Sequence, residues 1–301
     1  VALVGSYAAS PSEVYWQTKL PNTPMPNAVK DHLPTGEASI KNEAVGVNVG
    51  NWIPSRGRVE PPYAQQLFPI SRRYAAPDDK LHYNPHVTLF FQEEDLHANK
   101  IVSLQFTKAS TRNKFLPRQV AEIIPFSSDK FDEILQQFSI NPKSAEAETM
   151  KSTITHCEEP ALEGEVKYCA TSLEAMVDFS TSKLGNNVEA TSTEADKQGT
   201  QPQKFTIMPG IKKLTEENVV VCHSMSYVYP VFYCHKTHTT RAYSVPLVGA
   251  DGTKAKAVAI CHTDTSKWSP KYLAFQMLQL KPGSVPICHF LPQNNIVWAA
   301  K

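Results

Sequence analysis

"VVVCHSMSYVYPVFYCHKTHTT" (residues 219–240) sets two apolar runs on either side of a turn-like "YVYP", and each run ends in Cys-His. Short apolar runs divided by a proline-containing turn predict a strand, a reversal and a returning strand. Successive side chains of a strand point to opposite faces. An adjacent Cys and His therefore send a thiol one way and an imidazole the other. The pattern recurs: Cys222-His223, Cys234-His235, Cys261-His262 and Cys288-His289. The gaps between pairs are 10 residues (224–233), 25 (236–260) and 25 (263–287), and eight residues (290–297) then precede Trp298. Four of the six cysteines directly precede one of only ten histidines, where chance gives a fraction of one such pair.

Three chemistries compete for this constellation. A zinc site mixing Cys and His is disfavoured, because neighbours on a strand do not aim at one ion. The histidines can instead be packed groups beside disulfides. The third reading is an all-histidine metal site, with thiols paired as disulfides on the opposite face. Imidazole suits Cu, Zn, Ni and Fe, and tetragonal nitrogen ligation is typical of Cu(II). The residues alone do not choose copper over zinc.

Composition narrows the setting. The 301 residues are 41% hydrophobic and 20% charged with net charge +1, so no bulk field argues for nucleic acid or a membrane surface. No apolar run approaches the roughly 18–20 residues of a membrane-spanning helix. Six cysteines (Cys157, Cys169, Cys222, Cys234, Cys261, Cys288) are compatible with three disulfides and hence an oxidising compartment. Pairing among the four Cys-His cysteines has three solutions, and the sequence selects none.

Along the chain, residues 1–86 hold eleven of the 23 prolines and little amphipathic period, and read as an extended segment. Residues 87–301 form the domain. "VTLFF" (87–91) and "IVSLQF" (101–106) are its first predicted strands. Phe131, Ile134, Leu135 and Phe138 share a helix face, with Ser128 as cap. Residues 145–159 predict a second helix. "TSLEAMVDFSTSKLG" predicts a third, with a Thr171/Glu174 capping box and Gly185 as its stop. A Cys157–Cys169 bridge would staple the second and third helices across a short loop. From "VEATST" (188–193) onward the pattern is β: 204–208, 218–227, 230–238, 241–248, 254–263, 272–281, 285–290 and 295–300. Helices followed by strands argue an α+β fold with a mainly antiparallel C-terminal domain.

The Cys-His spacing, with the trailing Trp298, resembles the plant BURP domain. "YWQTKLPNTPMPNAVKDHLP" (15–34), "FLPRQVAEIIPFSS", "YCATSLEAMVDF" and "VPLVGADGTKAKAVAICH" resemble that family too, closest to its dehydration-responsive subgroup. The resemblance covers nearly the whole chain. It implies entry into the secretory pathway, with an extracellular, apoplastic or vacuolar destination. The family includes wall and seed proteins without assigned chemistry. It also includes copper-dependent peptide cyclases, which crosslink side chains in burpitides with O₂ as oxidant. The cyclases imply copper at His223, His235, His262 and His289, here the expected catalytic and metal-binding residues. His238 lies outside the pattern and reads as a bystander or as a group behind the ligands.

Self-processing cyclases carry their substrate as a core peptide in the same chain. The candidate here lies within residues 61–76: Gln66, Leu67, Phe68, Pro69 and Ile70, with Tyr74 as the phenol to be crosslinked. The bland reading of this stretch is a linker. Trp52 marks a weaker candidate. Two functions are therefore carried forward. One is a copper-dependent autocatalytic macrocyclase whose partner is its own N-terminal peptide. The alternative is a non-catalytic, disulfide-stapled wall or stress protein, with cell-wall polysaccharide as partner.

Overall fold

The computed structural model describes residues 10–34, 87–106, 113–199 and 201–301. Candidate core residues Gln66, Leu67, Phe68, Pro69, Ile70 and Tyr74, and also Trp52, lie outside them.

The strands in chain order are β1 (Phe91–Gln92), β2 (Ile101–Leu104), β3 (Glu165–Ala170), β4 (Val188–Thr191), β5 (Glu194–Ala195), β6 (Gln203–Ile207), β7 (Lys212–Thr215), β8 (Val219–Met225), β9 (Val231–Thr237), β10 (Thr240–Gly249), β11 (Lys254–His262), β12 (Ile287–Phe290) and β13 (Ile296–Ala300). Among the described residues they form two antiparallel sheets. One follows the order β1-β12-β11-β10-β6-β2, with β5 beside β11 and β7 beside β10. The other runs β3-β9-β8-β13-β4. With the helices preceding most of the strands, the fold is α+β.

The sheets meet through a shared apolar layer. Val219, Val221, Val297 and Ala299 of one sheet pack with Ala242, Val258 and Ile260 of the other, and with Leu291. Each Val, Ile or Leu among them contributes about 1.5–3 kcal/mol when fully buried. The chain crosses from one sheet to the other between β9 and β10, through only His238 and Thr239. On its outer face the five-stranded sheet packs Val220, Cys222, Phe232, Cys234 and Trp298 against the helix Leu173–Leu184 and the N-terminal Trp16.

The helices follow the sequence reading with shifted caps. Ser127, not Ser128, accepts a backbone N–H, in a single 3-10 turn that leads into the helix Phe131–Gln137. The helix Ala145–Glu158 is capped by Ser144, which accepts from Ala147 N at 3.1 Å. The helix Leu173–Leu184 is capped by Ser172 rather than by a Thr171/Glu174 box. Glu174 is drawn elsewhere: its Oε1 accepts from Ser12 Oγ at 2.9 Å. Gly185 stops this helix at φ +80°, a conformation only glycine adopts without cost.

Three expectations are corrected. Residues 272–281 were expected as a strand, but Leu273–Leu278 is a helix. Leu, Ala, Gln and Met are good helix formers, and Tyr272 and Phe275, three apart, both bury against Trp268. In "VTLFF" only Phe91 enters a strand, while Val87, Leu89 and Phe90 bury in the Trp268 cluster. The described part of the 1–86 segment is helical rather than extended, at Pro11–Lys19 and Asn27–Lys30. Ser10 caps the first helix and Pro11 occupies its first position. Trp16 sits 5.2 Å from Trp298, its Nε1–H donating to Thr23 O at 2.9 Å. Tyr15 and Arg118 both hydrogen-bond Asp178. That carboxyl is pulled below its ordinary range, its burial being outweighed by these two partners.

All six cysteines are bridged: Cys157–Cys169, Cys222–Cys234 and Cys261–Cys288. Cys169 lies on β3, so the first bridge joins helix to strand rather than helix to helix. No helix among the described residues is long and apolar enough to cross a membrane.

Candidate functional site

The two Cys-His bridges are copies of one local design. On β8 and β9, Cys222 stands opposite Cys234, His223 opposite Tyr233 and His235 opposite Val221. On β11 and β12, Cys261 stands opposite Cys288, His262 opposite Ile287 and His289 opposite Ile260. In each pair the two imidazoles flank the bridge diagonally, within side-chain reach. Their rings stack with centroids 5.3 Å apart for His223–His235 and 5.6 Å for His262–His289.

Alternation sets the direction in which they face. Val219 and Val221 point into the layer between the sheets, and His223 continues that row. Val258 and Ile260 point into the same layer from the other side, and His262 continues theirs. The cysteines take the opposite faces, in separate apolar clusters. All four histidines are buried, at 2–3% exposure. The rings stack two by two, His223 on His235 and His262 on His289. Among the described residues, no three His, Cys, Asp or Glu side chains come together in a way that could hold a metal ion.

The pairs differ in what backs them. His223 Nε2 and His235 Nε2 are 3.2 Å apart. Behind His223, Asn295 Nδ2 donates to Nδ1 at 2.9 Å. Behind His235, Nδ1 is 3.0 Å from Glu165 Oε1, on a carboxylate only 4% exposed. Glu165 also accepts from Tyr233 Oη–H at 3.3 Å and, through Oε2, from Leu162 N at 2.9 Å. Tyr233 in turn lies against His235 and against His156, whose ring centroid is 4.6 Å away. The other pair has looser backing. His262 Nδ1 is 3.5 Å from Thr240 Oγ1, which also meets Thr237 Oγ1 across the sheet crossing. His289 Nδ1 donates to Phe290 O at 3.4 Å. Trp268 closes over His262 with centroids 5.0 Å apart.

The donor chemistry suits a metal. Two nitrogens each ~2.0 Å from one tetrahedral ion stand about 3.3 Å apart, close to the His223–His235 spacing. A carboxylate or carbonyl behind the ring, taking its other N–H, is the usual support for an imidazole ligand, and Glu165 and Phe290 O stand in that place for His235 and His289. His223 and His235 thus stand at the spacing that two ligands of one ion need, and the stacked His262 and His289 repeat the arrangement.

His238 is exposed in the crossing turn, away from the pairs. His32, by contrast, is packed beside Phe115 and Phe232 with Nδ1 2.7 Å from Asn113 O, and burial pushes its pKa down. Sequence reasoning missed Glu165, Asn295, Tyr233 and Thr240. Glu165 in "EGEVKY" looks like a solvated charge and Asn295 in "LPQNN" like a turn residue. Each meets its histidine only through strand pairing some 70 positions away in the chain. Tyr233 alone carried a local signal, lying two residues before His235 on the same strand face.

A two-sheet domain stapled by disulfides, with paired histidines turned inward, is what the fold and site define, and the comparisons with known proteins name the family. The BURP domain family profile matches residues 89–300. The chain is 50% identical over 235 residues to BURP domain protein RD22 of Arabidopsis thaliana, covering 76% of this chain and 60% of that one. It is 48% identical over 242 residues to BURP domain-containing protein 3 of Oryza sativa subsp. japonica (79% and 56%). It is 41% identical over 302 residues to BURP domain-containing protein 5 of the same species (99% and 89%). The chain belongs to the BURP domain family. It spans a little over half the length of the first two of these relatives.

Proposed function

We propose that this chain is a secreted, copper-binding BURP protein that installs an oxidative crosslink in a peptide segment of its own chain. The reading is carried by one observation: four buried imidazoles, in two disulfide-anchored pairs, face a common layer between two sheets. Such a set of neutral nitrogen donors leaves positive charge on a bound metal. Copper, with O₂, would supply the oxidation that removes two hydrogens as a phenol is joined to a second side chain. The protein's share is to bind, to position and to exclude water. The sheets bury the imidazoles, Glu165 and Asn295 brace the rings of one pair, and Trp268 covers the other. The substrate proposed is residues 61–76, with Tyr74 as the phenol and Leu67, Phe68 or Ile70 supplying the second atom. Tethering would give the substrate a high effective concentration at the site.

The test is intact-mass and peptide mass spectrometry after incubation with Cu(II) and O₂. The expected result is a loss of about two mass units, two hydrogens, in the peptide bearing residues 61–76, abolished by Tyr74→Phe. An unchanged mass with copper bound, under conditions where a known cyclase turns over, would overturn the crosslinking reading.

A further inference from the structure

We propose that Asn295 is a positioning residue that sets the tautomer of His223 and thereby controls whether the His223–His235 pair is ready to take a metal. The argument starts from the amide. Ser224 N–H donates to Asn295 Oδ1 at 3.1 Å, which fixes the carbonyl end of that side chain. The NH₂ end therefore faces His223, with Nδ2 2.9 Å from Nδ1. An amide nitrogen does not accept, so His223 Nδ1 presents its lone pair. A neutral His223 then carries its proton on Nε2, the atom that faces His235 Nε2 at 3.2 Å. One proton lies between the two rings and His223 donates it.

The far end agrees. His235 Nδ1 lies 3.0 Å from Glu165 Oε1, and both oxygens of that carboxylate already accept, from Tyr233 and Leu162. A neutral His235 whose Nε2 accepts from His223 carries its hydrogen on Nδ1, the atom beside that carboxylate. The polarity of the row follows from the amide: Asn295 to His223, His223 to His235, with His235 Nδ1–H beside Glu165. Asn295 is 1% exposed, so water does not substitute for it.

The consequence for a metal turns on that one proton. His235 Nε2 already accepts the proton that His223 holds between the rings, so its lone pair comes free only when that proton leaves. His223 Nε2 offers one only after its proton moves to Nδ1. That requires the Asn295 amide to turn over, which takes the acceptor away from Ser224 N–H. Asn295 is thus a gate on the pair. The metal half of this inference rests on the function proposed above, while the tautomer half does not.

Long-range ¹H–¹⁵N correlation spectra of the metal-free, ¹⁵N-histidine-labelled protein at about pH 8, where ordinary imidazoles are neutral, decide the matter. The expected result is His223 with its proton on Nε2 and His235 with its proton on Nδ1. Asn295→Asp keeps an acceptor for Ser224 N–H and offers a second acceptor to His223. In that variant His223 should carry a proton on Nδ1, held by the carboxylate, and Cu(II) affinity in a chelator competition should rise about tenfold or more. His223 found as Nδ1–H in the wild-type chain overturns the proposal, as does an Asn295→Asp variant with higher affinity but an unchanged His223 tautomer. If the variant fails to fold, the wild-type spectrum alone decides. Tautomers as stated, with no copper bound by either protein, would sink the proposed function and leave the role of Asn295 standing.

Discussion

The His223–His235 and His262–His289 pairs share one strand design and differ in everything around it. Each is anchored by a cross-strand disulfide and faces the same interior layer. Yet the first is backed by a buried carboxylate and a doubly engaged amide, the second by a hydroxyl at 3.5 Å and a carbonyl at 3.4 Å. The lesson is that the repeated motif builds the pair, while its electronic environment is contributed by other strands and loops. Two sites that look equal in the sequence are therefore unequal in the groups that stand behind their rings.

The contrast can be tested first through stability. Glu165→Ala leaves the groups held by one buried carboxylate without their acceptor. At about 1–3 kcal/mol per unsatisfied buried group, the expected loss is about 3–5 kcal/mol by urea unfolding. Thr240→Val, at the other pair, should cost about 1 kcal/mol or less. Equal losses would erase the distinction between well-backed and loosely backed imidazoles.

The staples should show the reverse, near equality. Replacing Cys222 and Cys234 by Ala removes a bridge with a sequence separation of 12, and replacing Cys261 and Cys288 removes one of 27. Chain-entropy reasoning gives about 3 kcal/mol for the first and about 0.7 kcal/mol more for the second. A gap of several kcal/mol would mean that the difference between the pairs begins at the disulfides.

Copper affinity sharpens the comparison further. Glu165→Gln should weaken Cu(II) binding about 10–100-fold, and Thr240→Val by less than about tenfold. His262→Ala should reduce copper bound per chain while circular dichroism remains native. An unaltered stoichiometry in that variant counts against a metal at the His262–His289 pair.

The smallest effect belongs to a third imidazole, remote from both pairs. Burial lowers the pKa of His32 in the fold, so the unfolded chain binds the proton first. The stability His32 contributes is complete above its unfolded value of 6.5 and is lost as pH falls from there toward the depressed folded value. Between pH 7.5 and 5.5 the wild-type chain should lose more stability than His32→Asn does. Parallel pH profiles would show that His32 contributes nothing to the slope.

Much of this molecule was legible because its information is local. Alternation in "VVVCHSM" and "VFYCHKT" separates thiol from imidazole without any tertiary knowledge. The period of 131–138 and the capped run 173–184 give helices for the same reason. The misreadings were local ambiguities settled by distant partners. Residues 273–278 are a short apolar run that a strand could also use, but Trp268 buries one side of a helix. Glu174 looks like half of a capping box until Ser12, 162 positions away, takes it. Trp16 has no visible reason to be ordered until Trp298 lies beneath it.

The sequence by itself determined the strands, the opposed faces of Cys and His, and the family. Dihedral sterics and side-chain period act over a few residues, and those residues are adjacent. Tertiary structure alone decided which cysteines are opposite, that four imidazoles divide into two pairs, and that Asn295 and Glu165 stand behind one of them. Those outcomes depend on strand order and register, which bring together groups that no local rule relates.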